Sequence, residues 1–275
     1  MLAALLLALR EGLEAALIVG IIVGTLARLG LAPLRRAVWA GVGTAVGLSL
    51  TVGGGLYALG LALEGTAEQV FEGTTMLLAA GVLTWMLFWM QRHAPHLRQH
   101  IEAEVHAAGA RVRRAWFSLV ALAFFAVVRE GVELALFLTA LVFQGEPGPV
   151  VGGALAGLLV AVGLGWALYT STLRLNLRAF FRVTTVLLLV FAAGLVAHGI
   201  HEFVEAGWLP AFVDPVWDTN PWLAETSPPG QFLKALFGYN GDPSLTEAVA
   251  YFAYLVLIVR ALFGTAPRRG PAPAA

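Results

Sequence analysis

The sequence predicts an all-α polytopic membrane protein: seven transmembrane helices, arranged as two inverted three-helix repeats plus one extra C-terminal helix. Three observations predict it. Of 275 residues, 59% are hydrophobic and only 12% charged, with mean hydropathy +0.81; a soluble domain would carry about twice that share of charge. The apolar residues fall in stretches near the roughly 20 residues that cross a hydrocarbon core, separated by polar or Gly/Pro punctuation. The first half of the chain also recurs in the second.

Taken in order, the expected spans are 2–27, 37–63, 70–91, 115–143, 149–173, 183–207 and 245–263. The first lacks a basic leader and is interrupted by Arg10-Glu11, so it is expected to be retained rather than cleaved as a signal peptide. The third begins among Glu64, Glu68 and Glu72, the fourth carries Arg129-Glu130, and the sixth ends in a His/Glu cluster. The chain then divides into a first repeat (1–91), a cytoplasmic connector (92–114), a second, inverted repeat (115–207), an extracytoplasmic loop (208–244), a seventh helix (245–264) and a cytoplasmic tail (265–275).

Orientation follows from where basic residues fall in the loops. Arg28, Arg35, Arg36, Arg92, Arg98, Arg111, Arg113, Arg114, Arg174, Arg178, Arg182, Arg260, Arg268 and Arg269 share one side. The other side holds Lys234 against Glu64, Glu68, Glu72, Glu146, Asp214, Asp218, Glu225, Asp242 and Glu247. The positive-inside rule therefore places the N-terminus outside and the C-terminus in the cytoplasm, in the cytoplasmic (inner) membrane, with lipid as the surrounding partner. A formal net charge of +0 offers no basic excess for nucleic acid, and Cys 0 removes disulfides, thiolate metal sites and cysteine nucleophiles.

The repeat is explicit. Arg10-Glu11-Gly12-Leu13-Glu14 recurs as Arg129-Glu130-Gly131-Val132-Glu133; Gly41, Gly53, Leu56 and Tyr57 recur as Gly153, Gly165, Leu168 and Tyr169; Phe71, Thr74 and Thr75 recur as Phe181, Thr184 and Thr185. Three helices per unit is an odd number, so the second unit crosses in the opposite sense, an arrangement that places sites near the midplane.

Glu11, Glu14, Glu130 and Glu133 are the candidate metal site. Each pair is spaced by three residues and shares a helix face, and the intervening glycine permits close helix approach. With Arg10 and Arg129 as charge partners, four carboxylates and two guanidiniums sum to −2, which a hard cation would offset. Each such charge costs about 2.5 to 3.5 kcal/mol at a helix centre. The plainer reading is a pair of internally neutralised helices held in register, Arg10 with Glu14 and Arg129 with Glu133. A mixed reading has the arginines orient Glu14 and Glu133 while Glu11 and Glu130 bind the ion most directly. Oxygen donors without thiolates favour a hard or borderline cation over copper(I), and calcium, magnesium and manganese fit equally, so the chemistry alone names no metal.

Two Arg-Glu-x-x-Glu motifs, in the first and fourth of seven helices, resemble the high-affinity iron permease family, the oxidase-dependent iron transporters. The likeness extends over almost the whole chain, through Thr84-Trp85-Met86, Trp89-Met90-Gln91-Arg92-His93, Val216-Trp217-Asp218-Thr219, Gly238-Tyr239, Asp242-Pro243-Ser244 and Tyr251-x-x-Tyr254. The resemblance implies iron uptake, with ferric or ferrous iron as transported substrate and no prosthetic group. It also implies Glu11, Glu14, Glu130 and Glu133 as iron positions, and an extracytoplasmic oxidase or iron-delivery protein as partner.

Other clusters carry two readings each. His198, His201, Glu202 and Glu205 lie on one helix face and form a candidate outer metal site, or a hydrogen-bonded helix end. As H-E-x-x-E they depart from the zinc-hydrolase pattern at Glu205, which disfavours an intramembrane metallohydrolase. Glu64, Glu68 and Glu72 form a candidate cation vestibule or complement a helix dipole. His93, His96, His100 and Glu104 could receive an exiting ion, or belong to a solvated connector. Met86, Met90, Trp85 and Trp89 read as packing and interface anchors, and so do Trp208, Trp217 and Trp222. The expectation is therefore a permease rather than an enzyme, with a transporter of another divalent metal as the alternative and a seven-helix receptor as a weaker one.

Overall fold

The computed structural model describes residues 1–93, 101–103, 105, 115–170 and 176–264. Its helices are α1 (Leu2–Arg28), α2 (Arg35–Ala62), α3 (Thr66–His93), α4 (Ala115–Phe143), α5 (Pro147–Tyr169), α6 (Leu177–Glu205), α7 (Pro228–Phe237) and α8 (Leu245–Gly264), with a 3-10 turn at Ala32–Leu34. Among the described residues there is no strand. Among the same residues, four helical stretches, Ala32–Ala62, Thr66–Trp89, Pro147–Tyr169 and Ala179–Glu205, are long and apolar enough to cross a membrane. The α1 and α4 helices are comparably long, at 27 and 29 residues, and carry the charged motifs in their middles.

Helix ends follow local chemistry. Asn176 starts α6 by accepting a hydrogen bond from the Ala179 N–H at 3.1 Å. This helix and α3 begin several residues before their expected apolar spans, α6 because Asn176 caps it there and α3 because Glu68 in its first turn complements the helix dipole. In the segment expected as a plain loop, Ser227 caps α7 through the Gly230 N–H, Pro228 occupies its first position, and Gly238 ends it at φ 65. Residues 94–100, 104, 106–114, 171–175 and 265–275 lie outside the description. With them lie His96, His100, Glu104, Arg98, Arg111, Arg113, Arg114, Arg174, Arg268 and Arg269.

The helices interlock crosswise: α1 lies along α5 and α2 along α4, while α3 packs on α6, α1 on α4, and α8 on α6. In lipid, tight van der Waals contact rather than water exclusion drives such packing. Among the described residues two large apolar clusters result, beside a small one of Leu87, Leu189 and Ile258. One joins Ala4, Leu7, Met76, Leu83, Phe137 and Leu195; the other joins Ile18, Ile22, Leu26, Val38, Leu119 and Ala123, with Ile101 and Val105 of the connector. Along both α1 and α4 the charged motif falls between residues of one cluster and residues of the other.

Candidate metal transport site

The α1 helix delivers Arg10, Glu11 and Glu14, and α4 delivers Arg129, Glu130 and Glu133. Because these two helices touch, the motifs meet. Glu11, Glu14 and Glu130 each place one carboxylate oxygen within 4.8 Å of the others, the only such group of three or more potential ligands among the described residues. Glu11 is 1% exposed and Glu130 2%. Glu133, also buried, completes the acidic set at the edge of the cluster.

Each arginine spans both glutamates of its motif. Arg10 Nη1 donates to Glu11 Oε1 at 3.1 Å, and its Nη2 lies 3.3 Å from Glu14 Oε1. Arg129 Nε donates to Glu130 Oε1 at 3.0 Å, its Nη2 donates to the same oxygen, and Nε lies 3.9 Å from Glu133 Oε1. The arginines thus reach Glu14 and Glu133, as the mixed reading has them, and also the adjacent Glu11 and Glu130, to which the contact is closer. A long guanidinium stem can curl back to its neighbour, whereas helical spacing alone points to the residue one turn on.

The second carboxylate oxygens of Glu11, Glu130 and Glu133 are buried and have no hydrogen-bond partner among the described residues. Unpartnered buried acceptors on charged groups are costly, and a cation beside them would offset that cost. The third helix adds contacts that the sequence reading took for packing. Met86 Sδ accepts from Arg10 Nη1 at 3.3 Å, and the Trp89 ring lies 4.7 Å from the Arg129 guanidinium carbon.

In the candidate outer site His201 pairs with Glu205, while His198 bonds elsewhere. His198 is buried, and its Nδ1 bonds the Gly194 carbonyl at 3.0 Å. His201 meets Glu247 Oε1 through Nδ1 at 3.1 Å and Glu205 through Nε2 at 3.2 Å, while Glu205 also accepts from Gln69. Sequence reasoning missed Glu247 as the partner of His201. Its signal was present: Ser244 and Glu247 form a reciprocal capping box, Ser244 N–H to Glu247 at 3.2 Å and Glu247 N–H to Ser244 Oγ at 3.4 Å. Of the acidic trio, Glu64 is exposed ahead of α3, while Glu68 and Glu72 are half-buried on it, within electrostatic reach of Glu202.

Residues 1–266 match the model of the iron permease FTR1 family. The chain is 38% identical to the ferrous iron permease EfeU of Shigella sonnei (strain Ss046) and to that of Escherichia coli O157:H7, over 96% of both chains in each pairing. It is also 38% identical to the ferrous iron permease EfeU of Yersinia pestis, over 91% of this chain and 89% of the relative. No solved structure matches. With a family match over nearly its whole length and relatives named as transporters rather than enzymes, the chain belongs to the iron permease FTR1 family.

Proposed function

We propose that this protein carries iron ions inward across the cytoplasmic membrane through a midplane site built from Glu11, Glu14, Glu130 and Glu133, with Arg10 and Arg129 as fixed counter-charges. The observation that carries the reading is the convergence of three carboxylate oxygens from two helices within 4.8 Å, beside buried oxygens left without partners. Four carboxylates and two guanidiniums leave −2, which matches one divalent ion, and the relatives are named for ferrous iron. The membrane potential assists entry by about 2.3 kcal/mol per charge per 100 mV.

Seven spans in two inverted repeats are part of the same reading. The contacts between repeats support it. A β-carbon on Gly53 would lie 3.2 Å from that of Ala135, and one on Gly165 would lie 2.6 Å from that of Ala16. Gly165 is the repeat equivalent of Gly53 and Ala135 of Ala16, so one contact is the image of the other under a twofold exchange of units. The basic side is cytoplasmic in this arrangement, Glu64, Glu68 and Glu72 form an acidic outer approach, and the 208–244 loop is the surface for an extracytoplasmic oxidase or delivery protein. His198, His201, Glu202 and Glu205 line that approach in this reading.

Reconstitution into liposomes tests the proposal, with ferrous and ferric iron supplied separately. Wild-type protein takes up ferrous iron, and Glu11→Gln and Glu130→Gln, at equal incorporation, do not. Undiminished uptake in both variants overturns the central site. A second reading, transport of another divalent metal, rests on the all-oxygen donor set. Manganese uptake faster than iron uptake selects it.

A further inference from the structure

The geometry points to Met86 and Trp89 of α3 as positioning residues that hold the two site arginines between their carboxylates, and so set the affinity for the incoming cation. The inference rests on the proposed central site and adds a third helix to it.

Both arginines belong to the motifs, yet each is held from outside its own helix by the same short stretch of α3. Arg10 is 0% exposed, and its Nη1 is shared between Glu11 Oε1 at 3.1 Å and the Met86 sulfur at 3.3 Å. The Arg129 guanidinium, 34% exposed, lies over the Trp89 indole at 4.7 Å. Met86 itself is 4% exposed within the apolar cluster around Phe137 and Leu83. The residues are three apart, so they project from neighbouring positions of one helix face. The Thr84 hydroxyl is 2.6 Å from that of Tyr254 on α8, which fixes the same stretch of α3 from the other direction.

The chemistry of these two contacts suits a cation site. A thioether and an indole face both attract a guanidinium, and neither adds a formal charge. A carboxylate in either place would hold the arginine as well but would change the −2 available to the ion. The neutral partners share the guanidiniums with the carboxylates: Arg10 Nη1 divides between Glu11 and Met86, and the Arg129 guanidinium rests over Trp89 while it donates to Glu130. Without those partners, arginine competes more strongly with iron for the same oxygens. The consequence is a higher iron KM at a preserved maximal rate.

The test contrasts substitutions that positioning and packing rank oppositely. Gln at position 86 offers an acceptor oxygen at similar reach, whereas Leu offers only matched apolar volume. Iron uptake into liposomes is measured against iron concentration for Met86→Gln, Met86→Leu, Trp89→Phe and Trp89→Leu, with Glu11→Gln and Glu130→Gln as controls and folded amount read by size-exclusion chromatography. Positioning gives a KM raised roughly tenfold in the two Leu variants, consistent with losing one such contact, and near wild type in Met86→Gln and Trp89→Phe. Packing gives the reverse at position 86: Leu is tolerated, and Gln lowers the folded amount. An unchanged KM in Met86→Leu and Trp89→Leu overturns the inference even if Met86→Gln fails to fold. Undiminished uptake in both Glu11→Gln and Glu130→Gln overturns the central site instead, so the two failures are distinct.

Discussion

A β-carbon on Gly12 would stand 2.7 Å from the β-carbon of Ala161, closer than real β-carbons approach. The site-bearing turn of α1 therefore lies directly on α5, and glycine between Glu11 and Glu14 is what admits it. In the second motif Gly131 meets α2 in the same way, with a β-carbon there 2.8 Å from that of Ser49. We expect Gly12→Ala to destabilise the protein by about 1 to 3 kcal/mol through overpacking. Ala161→Gly, neutral or mildly unfavourable alone, should restore much of that loss, because Ala161 has no rotamer with which to yield. Ser49→Gly should do the same for Gly131→Ala. Thermal unfolding of the four single and two double variants in detergent checks this, and strictly additive losses would count against direct contact.

The motif glutamates were legible because i, i+3 spacing fixes a shared helix face whatever the tertiary structure does. What Met86 and Trp89 touch was not, because an apolar residue on an apolar helix carries no label, and the rotation of α3 about its axis is a tertiary property. The same limit applies to His198 and His201. Their spacing put them on one side of α6, but bonds to Gly194 and Glu247 turn the rings toward different partners. The α7 helix was hidden in a polar segment, although Ser227-Pro228 and Gly238 are ordinary start and stop signals. Close approach of Gly238 to Gly194 of α6, rather than a long apolar run, gives that helix its place.

Arg10 and Arg129 should tolerate loss unequally. Arg10 is sealed and bridges two carboxylates, whereas Arg129 keeps a third of its surface exposed. Removing one partner of a buried ion pair costs about 3 to 5 kcal/mol. Arg10→Gln is therefore expected to lower folded yield and thermal stability well below Arg129→Gln. Arg10→Lys should not rescue it, because an ammonium cannot reproduce the planar fork that reaches Glu11, Glu14 and Met86 together. Equal stability of the two Gln variants in detergent would contradict the assigned burial.

Gly238 presents a different kind of constraint. Its φ is 65, and a β-carbon there would run into Gly194 Cα, while a β-carbon on Gly194 would lie 2.5 Å from Gly238 Cα. Gly194 lies eleven residues before Glu205, the end of α6, or about 16 Å along the helix. The end of α7 is thus packed well below the end of α6. Gly238→Ala should loosen the 208–244 segment, through left-handed strain of about 1 kcal/mol added to the clash. No shrinking of the partner can compensate, since glycine already faces glycine. Limited proteolysis of the segment reads the effect, and unchanged cleavage rates in Gly238→Ala would refute this docking.

Docking of the same segment should also depend on pH through Glu225. Burial pushes its carboxyl up, but hydrogen bonds from the Gly241 N–H at 2.6 Å and the Lys234 ammonium at 3.0 Å outweigh burial. They hold the group below the usual value of 4.5. A depressed folded value means that the ionised form is the stabilising one. Its contribution is complete above about 4.5 and is lost as pH falls through the lower folded value. Thermal stability of wild type and Glu225→Gln, compared between about pH 7 and pH 3, isolates this group from the other acids. The wild type should be the more stable at neutral pH, and the gap should close below about 4.5 as Glu225 takes up its proton and the Lys234 pair is neutralised. A gap that stays constant across that window would mean the carboxylate contributes shape rather than charge, leaving the neutral bonds of Tyr239 to Thr219 and Leu223 to hold the segment.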